Sequence, residues 1–348
     1  YLPPTGGRCG PGVSLFHAGG FLPYSDRIFR ILPEANLFRS FVDRGVPVYA
    51  MELKGDGRSS GEVGAVTLDG VIDAIARLSR IAFHHEANRD RKMILEGYCG
   101  LGMPSLAYVA ARPAEADARF KLAVTMVAPV DARACTLAGE LIRLTPERLL
   151  ALQTGLSGLL GGGYVRGGDL RLGMDIPLGT LVYKSPLGRF VSGWDSPAYA
   201  DVHELADLNP VQRRELAGAY WISPENAKRY PLPVDLVRFF LRLFSQGVQD
   251  DLTIPACYRG QPLSLRTILE HTGIRLVGFY GGRDRVVPDA TAQVLVRQMG
   301  DRYTHVVHPR AGHISYVLSP ELWDPAHPAA LDPNPLDLML ELYSKDQN

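Results

Sequence analysis

Residues 96–102, Glu96-Gly97-Tyr98-Cys99-Gly100-Leu101-Gly102, decide the fold of this chain. The apolar run Lys92 to Tyr98 reads as a buried strand, and Ser105 to Ala111 reads as the helix that follows it. A strand turning at once into a helix lifts the residue at the bend, Cys99, into a strained, positive-φ conformation. Small neighbours are then needed where the two backbones approach. Gly97 supplies one, two residues before Cys99; two residues after it stands Leu101, flanked by Gly100 and Gly102. A thiol placed there feels the positive end of the helix dipole, which favours loss of its proton. The Gly100 N–H is placed to donate to an oxyanion. Taken alone, Cys99 is a small buried filler; the bend makes it a candidate nucleophile.

Working outward, short apolar runs bounded by Gly, Pro and Asp alternate with segments of helical period. Six strands are predicted: Val13 to His17, Val46 to Leu53, Lys92 to Tyr98, Leu122 to Val127, Ile274 to Tyr280 and Tyr303 to Val307. Several are near-continuous apolar runs, as buried parallel strands are. A helix is predicted over Leu68 to His84, with Val71, Ile72, Ile75, Leu78, Ile81 and Ala82 spaced by threes and fours. The alternation breaks between residues 135 and 250, too long a stretch for a structureless loop. There Pro233 to Val248 predicts a helix with Leu236, Val237, Phe240, Leu241 and Phe244 on one face. The division is therefore a core in two parts, 1–134 and 251–348, with a helical cap inserted at 135–250. The glycine-rich run Gly155 to Gly168 follows no strand and reads as a cap loop rather than a nucleotide-binding turn.

Two later strand ends carry chemistry. Ile274 to Tyr280 runs into Gly281-Gly282-Arg283-Asp284-Arg285-Val286-Val287-Pro288, and Tyr303 to Val307 into Pro309-Arg310-Ala311-Gly312-His313-Ile314. Nucleophile, acid, histidine is the chain order of the α/β-hydrolase scaffold, and such sheets place their sites at the carboxyl ends of parallel strands. The fold expected is thus α/β: a mostly parallel sheet of at least six strands, helices on both faces and a cap before the acid strand. Cys99, Asp284 and His313 are the catalytic candidates, with Asp131 as an alternative acid from an earlier strand. After the first strand, Phe16-His17-Ala18-Gly19-Gly20-Phe21 resembles the His-Gly-Gly oxyanion loops of esterases. Ala18 or Gly19 is the expected second donor beside Gly100.

The chain has 348 residues, 46% hydrophobic and 21% charged, with 37 basic and 37 acidic side chains. Its zero formal charge leaves no footprint for a nucleic-acid backbone. No run reaches the about 18 apolar residues of a membrane span, and the first residues lack the basic-then-apolar order of a signal peptide. Cys9, Cys99, Cys135 and Cys257 have no metal-ligand spacing, which suits a reducing, cytoplasmic setting. His305 and His308, three apart on a strand, point to opposite faces, and His84 and His85 close a helix. No metal is expected.

The Gly-x-Cys bend, Gly-x-x-Asp-x-Val-Val-Pro and Gly-His-Ile together resemble the catalytic domain of bacterial polyhydroxyalkanoate synthases. Tyr220-Trp221, Pro231, Phe240-Leu241-Arg242 and Gly260-Gln261-Pro262-Leu263-Ser264-Leu265 follow that family's order before the acid strand. Three places depart from its pattern: Leu101 for a Gly, and Arg285 and Asp289 where the family has His and Trp. The resemblance implies an acyltransferase that moves 3-hydroxyacyl groups from a coenzyme A thioester to a growing polyester chain. It further implies no resident cofactor, a homodimer and association with a polyester granule. Relatives of the scaffold include thiol-dependent intracellular polyester depolymerases, so ester or thioester hydrolysis is the alternative activity. A non-catalytic hydrolase-fold binding protein is a third reading. The family's N-terminal domain has no counterpart before Tyr1, so the chain is expected to be the catalytic domain of something longer.

Overall fold

The computed structural model describes residues 1–5, 10, 12–20, 37–51, 67–135, 152, 155–156, 159, 164–165, 232–284, 286–313, 315–318, 322–324, 326–328 and 330–345. In chain order its strands are β1 (Leu15–His17), β2 (Val48–Ala50), β3 (Met93–Tyr98), β4 (Phe120–Met126), β5 (Tyr164–Val165), β6 (Leu232–Pro233), β7 (Thr253–Tyr258), β8 (Gln261–Ser264), β9 (Arg275–Gly281) and β10 (Tyr303–His308). Its helices are α1 (Leu37–Val42), α2 (Leu68–His84), α3 (Gly102–Ala111), α4 (Pro113–Arg119), α5 (Val234–Gln246), α6 (Arg266–His271), α7 (Gln293–Met299), α8 (Ser315–Leu318) and α9 (Pro335–Ser344).

One six-stranded sheet runs in the order β10-β9-β4-β3-β1-β2, and every pairing in it is parallel. Each of its strands corresponds to one predicted from the apolar runs. Because all point the same way, the segments after β1, β3, β9 and β10 emerge at one edge. All six residues of β3 are buried, since helices cover both faces. On one face Leu95, Ala123 and Leu276 pack with residues of α2, α3, α5 and α7. On the other, Ile94, Leu122, Val124 and Val277 pack with Phe38 and Phe41 of α1 and Met339 and Leu342 of α9.

Helix α2 has the predicted bounds, and Thr67 explains its start: its hydroxyl accepts the Gly70 N–H at 3.0 Å. A cap of this kind contributes about 1 kcal/mol. The buried face is Leu68, Val71, Ile72, Ile75, Ala76, Ser79 and Ala82, whereas Ile81 is 60% exposed. The true stripe is thus rotated from the expected one, because small Ala76 and Ser79 face the core where larger residues had suggested it. Helix α5 shows the same correction. Leu236, Phe239, Phe240 and Leu243 are buried, while Val237, Leu241 and Phe244 are only partly so.

The rest of the expected cap lies largely outside the described residues, as does most of the glycine-rich run. Within 135–250 the antiparallel pair β5–β6 is present where no strand was expected. The hairpin β7–β8 likewise has no counterpart among the predicted strands. Its two-residue turn, Arg259-Gly260, has φ of +50° and +79°, as a tight hairpin turn requires, but Pro255 inside β7 disguised the strand. Helix α9 begins at Asn334, whose side chain accepts the Leu336 and Asp337 N–H groups. Among the described residues no helix is long and apolar enough to cross a membrane.

Candidate active site

Strand β3 ends at Tyr98, and Cys99 takes φ +49° at the start of a tight turn, Cys99–Leu101, that leads into α3. The small residues that permit this bend are Gly97 and Gly102. A Cβ on Gly97 would stand 2.8 Å from both the Gly102 Cα and the Leu101 carbonyl oxygen; one on Gly102 would stand 2.3 Å from the Ala128 Cβ. Leu101 is fully buried in the core, and its carbonyl accepts the Ser105 hydroxyl at 2.7 Å. The departure at Leu101 is therefore accommodated, because the close approach to β4's exit falls on Gly102.

The acid and histidine loops lie against one another. The Gly282 N–H donates to the His308 carbonyl at 2.9 Å, and the Arg283 N–H to the Ala311 carbonyl at 2.9 Å. A Cβ on Gly281 would stand 2.3 Å from that Ala311 oxygen, so the glycine before the acid is required by the neighbouring loop. Asp284 Oδ1 accepts the Val286 and Val287 N–H groups, each at 2.8 Å. That leaves Oδ2 for His313 Nδ1, at 2.8 Å. The other ring nitrogen, His313 Nε2, lies 3.2 Å from Cys99 Sγ. The Asp284 side chain is wholly buried and that of His313 is 17% exposed. Burial works against the His313 imidazolium, but the Asp284 carboxylate, the Cys99 sulfur and the hydrogen bonds to both outweigh it. His313 therefore binds its proton well above the ordinary histidine range.

Asp131, the alternative acid, does not join this group. Its carboxylate is gripped by its near neighbour Arg133, with Nε at 2.9 Å and Nη2 at 2.8 Å. Of the two donors expected after β1, Ala18 is also corrected, since its N–H donates to the Glu96 carbonyl at 2.7 Å and belongs to the sheet. Gly19 follows with φ +105°, and its carbonyl accepts the Tyr98 N–H at 3.2 Å. Gly100 lies in the first turn after β3, where leading N–H groups have no acceptor within the helix.

Pattern alone does not single out two residues beside the site. Glu96 is buried and its carboxylate meets His17 Nδ1 across the β1–β3 register. The Tyr98 hydroxyl donates to the His313 carbonyl. Their signal was latent: a carboxylate inside an apolar strand has to find a partner, but pairing the strands was needed to name it.

The remaining candidates are dispersed. His308 is buried between the Tyr316 hydroxyl (2.7 Å) and the Pro333 carbonyl (2.9 Å). His305 stands 3.9 Å from Asp289, one of the departures from the family pattern. His84 pairs with Asp90, and His85 with the Tyr49 hydroxyl. Cys135 is buried and its thiol is pushed up by that burial, with Asp284 and Cys99 adding to the effect; Cys257 is exposed. Cys9 and Arg285 lie outside the described residues. Among the described residues no group of three or more His, Cys, Asp or Glu side chains could hold a metal ion.

No protein-family model matches the chain, and no curated protein does. Solved structures do. A monoacylglycerol lipase from Paleococcus ferrophilus aligns with 99% of this chain and 96% of its own at 14% identity, with a TM-score of 0.53. A hypothetical protein from Pseudomonas aeruginosa aligns with 99% of this chain and 87% of its own at 13% identity, with a TM-score of 0.50. The chain has the α/β-hydrolase fold. Its parallel sheet and its bend after β3 are those expected from residues 96–102.

Proposed function

We propose that the protein is an acyl-transferring enzyme whose nucleophile is Cys99, with His313 as acid and base and Asp284 as its orienting partner. The observation that carries this reading is the hydrogen-bonded line from Asp284 Oδ2 through the His313 ring to Cys99 Sγ, at 2.8 and 3.2 Å. It starts from a positive-φ cysteine at a strand-to-helix bend. His313 takes the thiol proton, and the sulfur attacks an acyl carbonyl. The Gly100 and Gly19 N–H groups hold the oxyanion. As the tetrahedral species collapses, the leaving group departs with the proton from His313, and the acyl group stays on Cys99.

The finer reading concerns the acyl donor and acceptor. The motif resemblance to polyhydroxyalkanoate synthases supports a 3-hydroxyacyl-coenzyme A donor and, as acceptor, the hydroxyl end of a growing polyester. His313 deprotonates that hydroxyl, which attacks the acyl-cysteine and frees the sulfur. The second reading is an ester or thioester hydrolase, or polyester depolymerase, in which water resolves the same intermediate. It draws support from the lipase that shares the fold. The experiment is to supply 3-hydroxybutyryl-coenzyme A and follow thiol release together with product size. Chains longer than one unit are expected; free 3-hydroxybutyrate as the sole product overturns the synthase reading. Absence of both, with no selective labelling of Cys99 by a thiol probe, favours a binding protein.

A further inference from the structure

We propose that Tyr98 is a positioning residue that ties the oxyanion loop, the nucleophile and the histidine loop into one unit. The inference rests on the reading of Cys99 and His313 as an acting pair, and adds a residue that pattern alone did not single out. Tyr98 is 5% exposed and directly precedes Cys99. Its backbone N–H donates to the Gly19 carbonyl at 3.2 Å, and its phenol donates to the carbonyl of His313 itself. Its ring meets the His313 ring edge-on, with centroids 6.2 Å apart and planes at 75°. One side chain and one amide thus bind the two loops that flank the sulfur.

The hydroxyl has no packing reason to be there, since Phe fills nearly the same volume. A buried phenol needs an acceptor, and the acceptor it has is the backbone of the residue that carries the base. Asp284 fixes the His313 ring and Tyr98 fixes its main chain, so Nε2 has two independent anchors. Burial, with the neighbouring Cys99 and Asp284, raises the phenol pKa far above its ordinary range, so it stays a donor wherever the enzyme folds.

The test uses the full chain with Y98F, assayed with 3-hydroxybutyryl-coenzyme A, and follows the pH dependence of Cys99 alkylation by iodoacetamide at the Cys99 peptide. A small misplacement of a reacting group costs up to about 100-fold. Y98F should accordingly lose about 10- to 100-fold in kcat with KM little changed, and its alkylation profile should move to higher pH. Two replacements that keep the volume of tyrosine separate the donor from packing. At position 98, p-aminophenylalanine should restore most of the rate and p-methylphenylalanine should not, and this pair serves as well if Y98F does not fold. Equal rates and alkylation profiles for the two replacements, or a Y98F protein indistinguishable from wild type beside an inactive C99A, overturn the Tyr98 role alone. Undiminished activity in C99A overturns the site reading and the Tyr98 role with it.

Discussion

The Nε2 atom of His313 lies 3.2 Å from the sulfur of Cys99, although 214 residues of chain separate them. That contact is made because β3 and β10 are parallel members of one sheet and release their loops at the same edge. If it is the working contact, either partner alone should be indispensable. C99A and H313A should each lose at least about 1,000-fold in acyl turnover, with circular-dichroism spectra close to wild type. Comparable activity in either variant contradicts the assignment.

Asp284 acts through both oxygens. Asn at this position cannot accept from the Val286 and Val287 amides and from His313 Nδ1 together without turning an N–H₂ group towards a donor. D284N should fold, and should lose about 100- to 10,000-fold in kcat by leaving His313 in the wrong tautomer. Steady-state kinetics check this; a loss confined to KM counts against an orienting role.

His313 and His308 should influence stability with opposite signs. His313 has a raised value in the fold, so its contribution is complete below the ordinary 6.5 and fades as pH rises through the folded value. His308 has a lowered value, chiefly from burial, so its contribution is present above 6.5 and is lost as pH falls through the folded value. Urea midpoints at pH 8 and pH 5 isolate the second effect. The wild type should lose more stability on acidification than H308Q, and equal losses count against a buried neutral His308.

Leu101 offers a test of the bend. L101G should empty a fully buried site and cost about 2–5 kcal/mol, seen as a lower denaturation midpoint. G102A should also destabilise, because its new Cβ falls on Ala128. An L101G protein as stable as wild type contradicts the burial of Leu101, and a G102A protein as stable as wild type contradicts the placement of the close approach at Gly102.

Much of this architecture was legible in the chain because the central strands are largely apolar and glycines stand at or shortly after the ends of β3, β9 and β10. β3, β9 and β10 announce themselves, and with them Cys99, Asp284 and His313. What stayed hidden depends on partners far away in sequence. Asp131 and Asp284 both follow strands, and what separates them is Arg133's grip on the first and His313's contact with the second. Ala18 and Gly19 differ by one ladder hydrogen bond, which requires β1 to be paired with β3. The helix faces differ from the periodic reading at Ile81 and Val237 for a related reason: periodicity gives a stripe of about the right width, but packing chooses which edge of it turns inward.

The most direct measurement is the covalent intermediate itself. Enzyme mixed with 3-hydroxybutyryl-coenzyme A and quenched in acid within the first turnovers should carry a 3-hydroxybutyryl mass increment on the peptide containing Cys99. C99A should carry none. Thioester consumption by the wild type with no acyl group on Cys99, or at an undiminished rate in C99A, contradicts the mechanism.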